Sequence, residues 1–273
     1  MVKIIAFANS KGGVGKSTSA VNVADMLARE LVGADGQVRG RVLLVDLDPQ
    51  GHVARSLGLA NEAGVCISAF LEGKRSFKDS VVWADRSAEG LPRPNLFVMP
   101  ATQKLRAMGL KLMGRDLGAK AAGEQPELDD ILTIRLGPFA AHFAYVVLDC
   151  PPNLDVFRNA VYNFAETVVA PVKTDDLSVD GLVLHTQDII AARKGGARAD
   201  LTHVLPTMYR PRQTLDQFAL ESMRTRFERK VADPIPELVA VKEAPASGGR
   251  TLLEYAPDSP ATAAYGRFVS RVR

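Results

Sequence analysis

Cysteine is nearly absent from this chain of 273 residues: Cys66 and Cys150 are the only two, 84 positions apart. That excludes a disulfide framework, and the spacing matches no metal-binding pattern. Free thiols in a reducing compartment are the expected state. The four histidines, His52, His142, His185 and His203, are too scattered to assemble a metal centre. Aromatic residues reach only 6% and do not interleave with basic ones, which argues against stacking on single-stranded nucleic acid. No apolar run approaches the ~18 residues that cross a bilayer. The run after Lys3 is too short for a secretory signal, so a cytoplasmic protein is expected. Neither sign of charge dominates: Lys and Arg number 34 against 31 Asp and Glu, and the net charge of +3 permits an acidic partner without demanding one. Internal repeats and low-complexity tracts are missing as well.

What is present is an ordinary globular composition, 47% hydrophobic and 24% charged, in a chain long enough to bury a substantial core. Short apolar runs alternate with helix-period segments from end to end. Candidate strands are Lys3–Asn9, Val42–Asp46, Leu96–Met99, Tyr145–Leu148, Thr167–Val172 and His203–Thr207. They are rich in Val, Ile and Leu without strict alternation, the pattern of parallel strands covered on both faces. Between the first two, Ser17–Leu31 places Val21, Ala24, Leu27, Ala28 and Leu31 on one helical face. This order predicts a single α/β domain over residues 1–273, a doubly wound, mostly parallel sheet flanked by helices. The stretch Asn61–Pro138 is read as further helices and loops on the same domain. With the first strand starting by Lys3, no N-terminal helix-turn-helix extension is expected.

Lys11 to Thr18 reads K-G-G-V-G-K-S-T, between an apolar strand and a helix-period segment. That is the strand–loop–helix setting a phosphate-binding loop needs. The general pattern G-x-x-x-x-G-K-[ST] is met except at its first position, which is Ser10. Gly12, Gly13 and Gly15 let backbone N–H groups close on phosphate oxygens, and the following helix points its positive end at the same anion. Lys16 is placed to bridge the β- and γ-phosphates and Ser17 to ligate Mg²⁺, which implies ATP and Mg²⁺ as cofactors. Two apolar strands then end in carboxylates. Val42–Asp48 ends in Asp46 and Asp48, and Tyr145–Asp149 ends in Asp149, where ligands gather in parallel sheets. Asp149 suits a Mg²⁺ ligand acting through water, with Asp46 a possible outer partner. Asp48 suits activation of the attacking water. Taken alone, each aspartate reads better as a loop cap; all three together in a phosphate-loop setting reverse that.

K-G-G-V-G-K-S-T, V-L-L-V-D-L-D-P-Q-G and V-V-L-D-C-P-P together resemble the deviant Walker A, Walker A′ and Walker B motifs of the ParA/MinD family. The likeness continues through Ala170-Pro171-Val172, Leu205-Pro206-Thr207-Met208-Tyr209, Ile235-Pro236, Glu243-Ala244-Pro245, Tyr255-Ala256-Pro257 and Ala264-Tyr265. It spans nearly the whole chain, and its C-terminal part favours the ParA branch. The resemblance implies a weak ATPase whose ATP form is a sandwich homodimer, with Lys11 reaching the partner's phosphates as an arginine finger does. It also implies a nucleotide site made of Lys11, Gly12, Gly13, Val14, Gly15, Lys16, Ser17 and Thr18. The base would be held by Thr207, Met208 and the loop beginning at Pro236. Thr207 replaces the asparagine typical of other branches, which leaves backbone and apolar contact to hold the base.

Resemblance to the ParA branch further implies non-specific binding of double-stranded DNA in the ATP form and a ParB-like, centromere-binding partner that accelerates hydrolysis. Here Arg193–Arg273 carries 14 Lys and Arg against 9 Asp and Glu. Arg193, Lys194, Arg224, Arg226, Arg229 and Lys230 are the clustered candidates for DNA phosphates, or else solvated helix ends complementing a dipole. Three other classes remain in view. A MinD-like membrane switch would use the stripe Tyr265, Phe268, Val269 and Val272, although a core role suits so short a stripe. An iron–sulfur reductase would need thiolates that Cys66 and Cys150 do not supply. A small-molecule phosphotransferase would respond to its substrate. Positioning of a protein cargo or organelle, instead of a plasmid or chromosome, is the remaining alternative within the ParA branch.

Overall fold

The computed structural model describes residues 2–59, 65–124, 126–152 and 155–273. Its centre is a seven-stranded sheet: β1 (Lys3–Phe7), β2 (Val42–Asp46), β3 (Val82–Trp83), β4 (Leu96–Met99), β5 (Tyr145–Asp149), β6 (Thr167–Lys173) and β7 (Asp200–Thr207). The spatial order is β3-β4-β2-β5-β1-β6-β7. All neighbours are parallel except β3, which pairs antiparallel with β4. The α/β class and the doubly wound, parallel architecture follow the expectation from sequence.

The strands lack alternation because both faces are covered. Ile4, Ala6, Leu43 and Val45 enter one core, while Ile5, Phe7, Val42 and Leu44 enter the other. Helix α1 (Lys16–Glu30) lies on the second face with Ala20, Val21, Ala24 and Leu27 buried. The C-terminal helix Pro260–Val272 packs beside it. Tyr265, Phe268, Val269 and Val272 are all buried there, so the stripe offered for a membrane is part of the core. Among the described residues no helix is long and apolar enough to cross a membrane.

The sequence reading departs by one or two residues at the ends of β1, β5 and β6, by three at the start of β7, and lacks β3. β7 starts at Asp200 instead of His203, because an edge strand tolerates polar residues and the Thr202 hydroxyl bonds the Val168 carbonyl, at 3.2 Å, where the register shifts. β3 falls inside the stretch read as helices and loops. It is two residues long and half in solvent, too short to leave a periodic signal.

Candidate nucleotide site

β1, β2 and β5 lie side by side, so their carboxyl ends deliver the glycine loop, Asp46 and Asp149 to one crevice. The loop is anchored by Asn9, whose amide donates to the Pro171 carbonyl at 2.8 Å and whose side-chain oxygen accepts from the Lys11 N–H at 3.0 Å. Gly13 and Gly15 hold φ of 66° and 84°, a region that side chains resist, and Gly15 opens α1. The Val14 side chain is buried, and its carbonyl accepts from the Thr207 hydroxyl at 2.9 Å. Gly12 approaches Pro152 of the loop after β5.

Both lysines are inside this frame. The Lys16 ammonium is buried and donates to the Lys11 carbonyl at 2.8 Å. Burial lowers its pKa, partly offset by the charges of Asp149, Cys150 and Asp48. The Lys11 ammonium turns to its own chain, donating to Asp175 at 3.0 Å and to the Ser178 hydroxyl at 2.8 Å.

Asp46 and Asp149 are register partners on β2 and β5, and both are fully buried. Asp46 is satisfied: its carboxylate accepts the Asp48 and Val53 N–H groups at 2.9 and 3.2 Å, which fixes the turn that carries Asp48. Burial nevertheless pushes its pKa up to about 7. Asp149 is not satisfied; neither carboxylate oxygen has a hydrogen-bond partner. Burial and then the Asp46 charge raise its pKa well above the carboxylate range, against the pull of Ser17 and Lys16. An orphaned buried carboxylate beside a serine at a helix start is a donor set that suits a hard divalent cation. Asp48 is half-buried, and one of its oxygens accepts the Gln50 N–H at 2.9 Å; among the described residues the other has no hydrogen-bond partner.

A pocket of about 300 Å³ adjoins the loop, with Gly15 and Thr18 at one end and Thr207, Met208 and Pro236 along it. Tyr209 and Pro236 form a parallel bridge that sets this wall. Leu238, in the loop that begins at Pro236, adds apolar lining with Val241 and Tyr265, and Glu237 and Lys242 are the charged members; no sequence signal marks Val241 or Tyr265 for the base. The Tyr265 hydroxyl lies 3.1 Å from that of Ser19. Asn9, Asp175 and Ser178 are likewise outside the residues that the sequence points to. Asp175 does carry a local signal: it caps the helix Asp176–Lys194 by accepting the Ser178 N–H at 2.8 Å.

The basic candidates lie at the other end of the sheet. Arg193 and Lys194 end the helix after β6, and Arg224 and Arg226 end the helix Thr214–Phe227 after β7. Arg229 and Lys230 follow at once. Part of this charge is already engaged: Arg193 and Lys230 both pair with Asp200, Arg226 pairs with Asp180, and Lys230 donates to the Leu201 carbonyl. Lys194, Arg224 and Arg229 are exposed. Among the described residues no cluster of His, Cys, Asp and Glu could hold a metal, and both cysteines are free and buried.

Residues 2–201 match a family model described as an AAA domain. The chromosome-partitioning ATPase Soj of Thermus thermophilus is 34% identical over 275 residues, covering 99% of this chain and 95% of that protein. The chain belongs to the ParA/Soj family of P-loop ATPases. The chromosome partitioning protein ParA of Caulobacter vibrioides is 32% identical, covering 92% of this chain and 87% of its own. Among solved structures, cobyrinic acid a,c-diamide synthase from Mycobacterium smegmatis, with a bound ATP analogue and magnesium, superposes with a TM-score of 0.75 at 25% identity. It covers 99% of this chain and 93% of that one. Family membership therefore rests on the whole chain and not on the glycine loop alone.

Proposed function

We propose that residues 1–273 form one domain that acts as an ATP-dependent switch: a weak ATPase, dimeric with ATP bound, that holds DNA non-specifically and segregates a plasmid or chromosome with a ParB-like partner. The observation that carries this is a glycine loop with a lysine at each end, Lys16 buried beside an unsatisfied Asp149 and Lys11 held at the loop's other end by Asp175. Backbone amides of Gly12 to Thr18 and the Lys16 ammonium would take the phosphates. Thr207, Met208 and Pro236 would take the base. Ser17, and Asp149 through water, would hold Mg²⁺ with Asp46 behind it; the cation neutralises phosphate charge. Asp48, on a turn fixed by Asp46, orients the attacking water. Lys11 supplies a second cation to the partner's phosphoryl group, which makes hydrolysis depend on pairing.

DNA binding follows from the basic helix ends. Two copies double the phosphate contacts, and the linked contacts reinforce one another through effective concentration. The protein would then sit on the nucleoid in the cytoplasm. The test is DNA binding with ADP, ATP and a non-hydrolysable analogue at several salt concentrations. ATP-dependent, salt-sensitive binding is expected; affinity indifferent to either removes the DNA reading and leaves a protein cargo as the alternative. The buried C-terminal stripe speaks against a membrane role, which co-sedimentation with liposomes in ATP would test.

A further inference from the structure

Residues between Phe70 and Phe143 build a surface that the phosphate chemistry does not use. Two adjoining pockets open near the β3–β4 edge of the sheet. Arg41, His142 and Phe143 precede β2 and β5, so the second pocket lies at the end where the parallel strands begin, opposite the crevice of Asp46 and Asp149. The first pocket is about 540 Å³ and is walled by Phe70, Phe77 and Phe139. The second is about 410 Å³ and is walled by Trp83, Phe97 and Phe143.

The ridge between them is Phe77 stacked on Phe139, ring centroids 4.4 Å apart and planes 8° from parallel. Phe70 meets both rings edge-on at 5.8 and 6.0 Å, which holds the stack against the core. Trp83 is 54% exposed on the edge strand, and its indole N–H is fixed by the Pro94 carbonyl at 3.0 Å. These are aromatic rings held in place at a surface, which is how binding anchors are met.

The rims are positive. Arg75, Lys78 and Arg135 border the first pocket, Arg41 and Lys78 the second, and no carboxylate lines either. Among the described residues none of these four cations forms an ion pair; neighbouring Glu72 is taken by Lys74 and Lys111, and Asp79 by the Ser76 hydroxyl. The Arg135 Nε is buried without any acceptor. Leaving such a group unmatched is costly, and a carboxylate drawn to the Arg135 guanidinium would offset part of that cost if the side chain shifts to meet it. Among the described residues the outer edge of β3 also has no strand beside it.

Aromatic floors need apolar side chains to fill them, which duplex DNA does not offer. Two separate hollows across a ridge suit discrete side chains better than a flat lipid face. We propose that this face binds an acidic, extended segment of a partner protein. One apolar side chain sits on each side of the Phe77–Phe139 stack, and carboxylates reach Arg135, Lys78 and Arg41. This surface is independent of the nucleotide reading.

Trp83 is the only tryptophan in the chain, so its emission reports on the second pocket directly. The probes are synthetic Asp/Glu-rich peptides carrying two phenylalanines at varied spacing, compared with the same peptides with lysine for the acids or alanine for the phenylalanines. A saturable change in Trp83 emission is expected from an acidic two-phenylalanine peptide, weakened by salt. Alanine replacement should cost at least about tenfold in Kd. A Lys78→Glu/Arg135→Glu variant should lose the response while its ATP turnover without peptide matches the parent, showing that it is folded. If that variant fails to fold, Arg41→Glu gives the same reading from the far pocket. No saturable response to any acidic peptide overturns the proposal. So does an equal response to the lysine versions, or a response confined to phosphatidylglycerol vesicles or duplex DNA.

Discussion

The Lys11 ammonium is tied to Asp175 of its own chain at 3.0 Å, and to the Ser178 hydroxyl beside it at 2.8 Å. Burial works to raise the Asp175 pKa, but hydrogen bonds from Ser178 and Lys11 outweigh it, and the group lies lower than an ordinary carboxylate. The pair is 36% and 46% exposed, so it contributes at most about 1 kcal/mol. If Lys11 reaches another copy's phosphate, as proposed above, it has first to leave this partner, and the hold is weak enough for a phosphate anion to win.

Lys11→Ala is therefore expected to keep nucleotide binding and to lose ATP-dependent dimerisation, with turnover down about 10³-fold or more if it acts as a finger in trans. Asp175→Asn frees the same ammonium, and the ATP concentration for half-maximal dimerisation should fall by up to about fivefold, the equivalent of the pair's strength. Sizing by light scattering across an ATP titration measures both. Wild-type turnover in Lys11→Ala would contradict the sandwich dimer.

Asp48 is carried on the turn that Asp46 fixes, with one oxygen on the Gln50 N–H. Asp48→Ala should bind ATP and dimerise normally but hydrolyse about 10²–10⁴-fold more slowly, the range for loss of a positioned base. Single-turnover phosphate release separates chemistry from binding. Unchanged release would remove Asp48 from the water-activating role.

How much of this can be read from the sequence depends on distance along the chain. β2 and β4 match their sequence-derived bounds to the residue, because continuous Val and Leu runs ending in Asp or Pro have one structural solution. The glycine loop and the Asp46–Asp149 neighbourhood are legible for the same reason, since strand ends in a parallel sheet converge. The Lys11–Asp175 contact is not, because 164 residues separate the pair and no local pattern encodes it. The buried Arg93, which donates to Glu254 across the second face at 2.6 Å, is invisible for that reason too. The aromatic ridge joins Phe77, in the bend before a short turn, to Phe139 on the helix Ile131–Ala140, and no shared period links the two.

The exposed Arg224 and the part-engaged Arg226 end one helix at the strand-start end of the sheet. If they touch DNA phosphates, Arg224→Glu/Arg226→Glu should weaken binding alike on unrelated duplexes. It should also reduce the slope of log K against log salt by about 0.9 for each phosphate no longer neutralised. ATP turnover without DNA should be unaffected. An unchanged slope would put the DNA elsewhere on the basic face.

Asp149 offers a test that needs no nucleotide. The folded chain holds both Asp46 and Asp149 with raised pKa values, so it keeps protons that the unfolded chain releases. For such groups stability is fullest below the unfolded carboxylate value and is lost as pH rises through the folded one, about 7 for Asp46 and higher than the usual range for Asp149. Asparagine at position 149 is neutral at every pH and resembles the protonated acid. Asp149→Asn without nucleotide or magnesium should thus be more stable than the parent at alkaline pH, by about 1–3 kcal/mol for relief of an unsatisfied buried group. The gap in Tm should close as the pH is lowered and Asp149 takes up its proton. Magnesium with ATP should narrow the gap at alkaline pH from the other side, by stabilising only the parent. Melting curves of both chains in EDTA, and again in magnesium and ATP, decide it. A parent as stable as the variant at high pH in EDTA would mean that Asp149 is not held at a cost awaiting a cation.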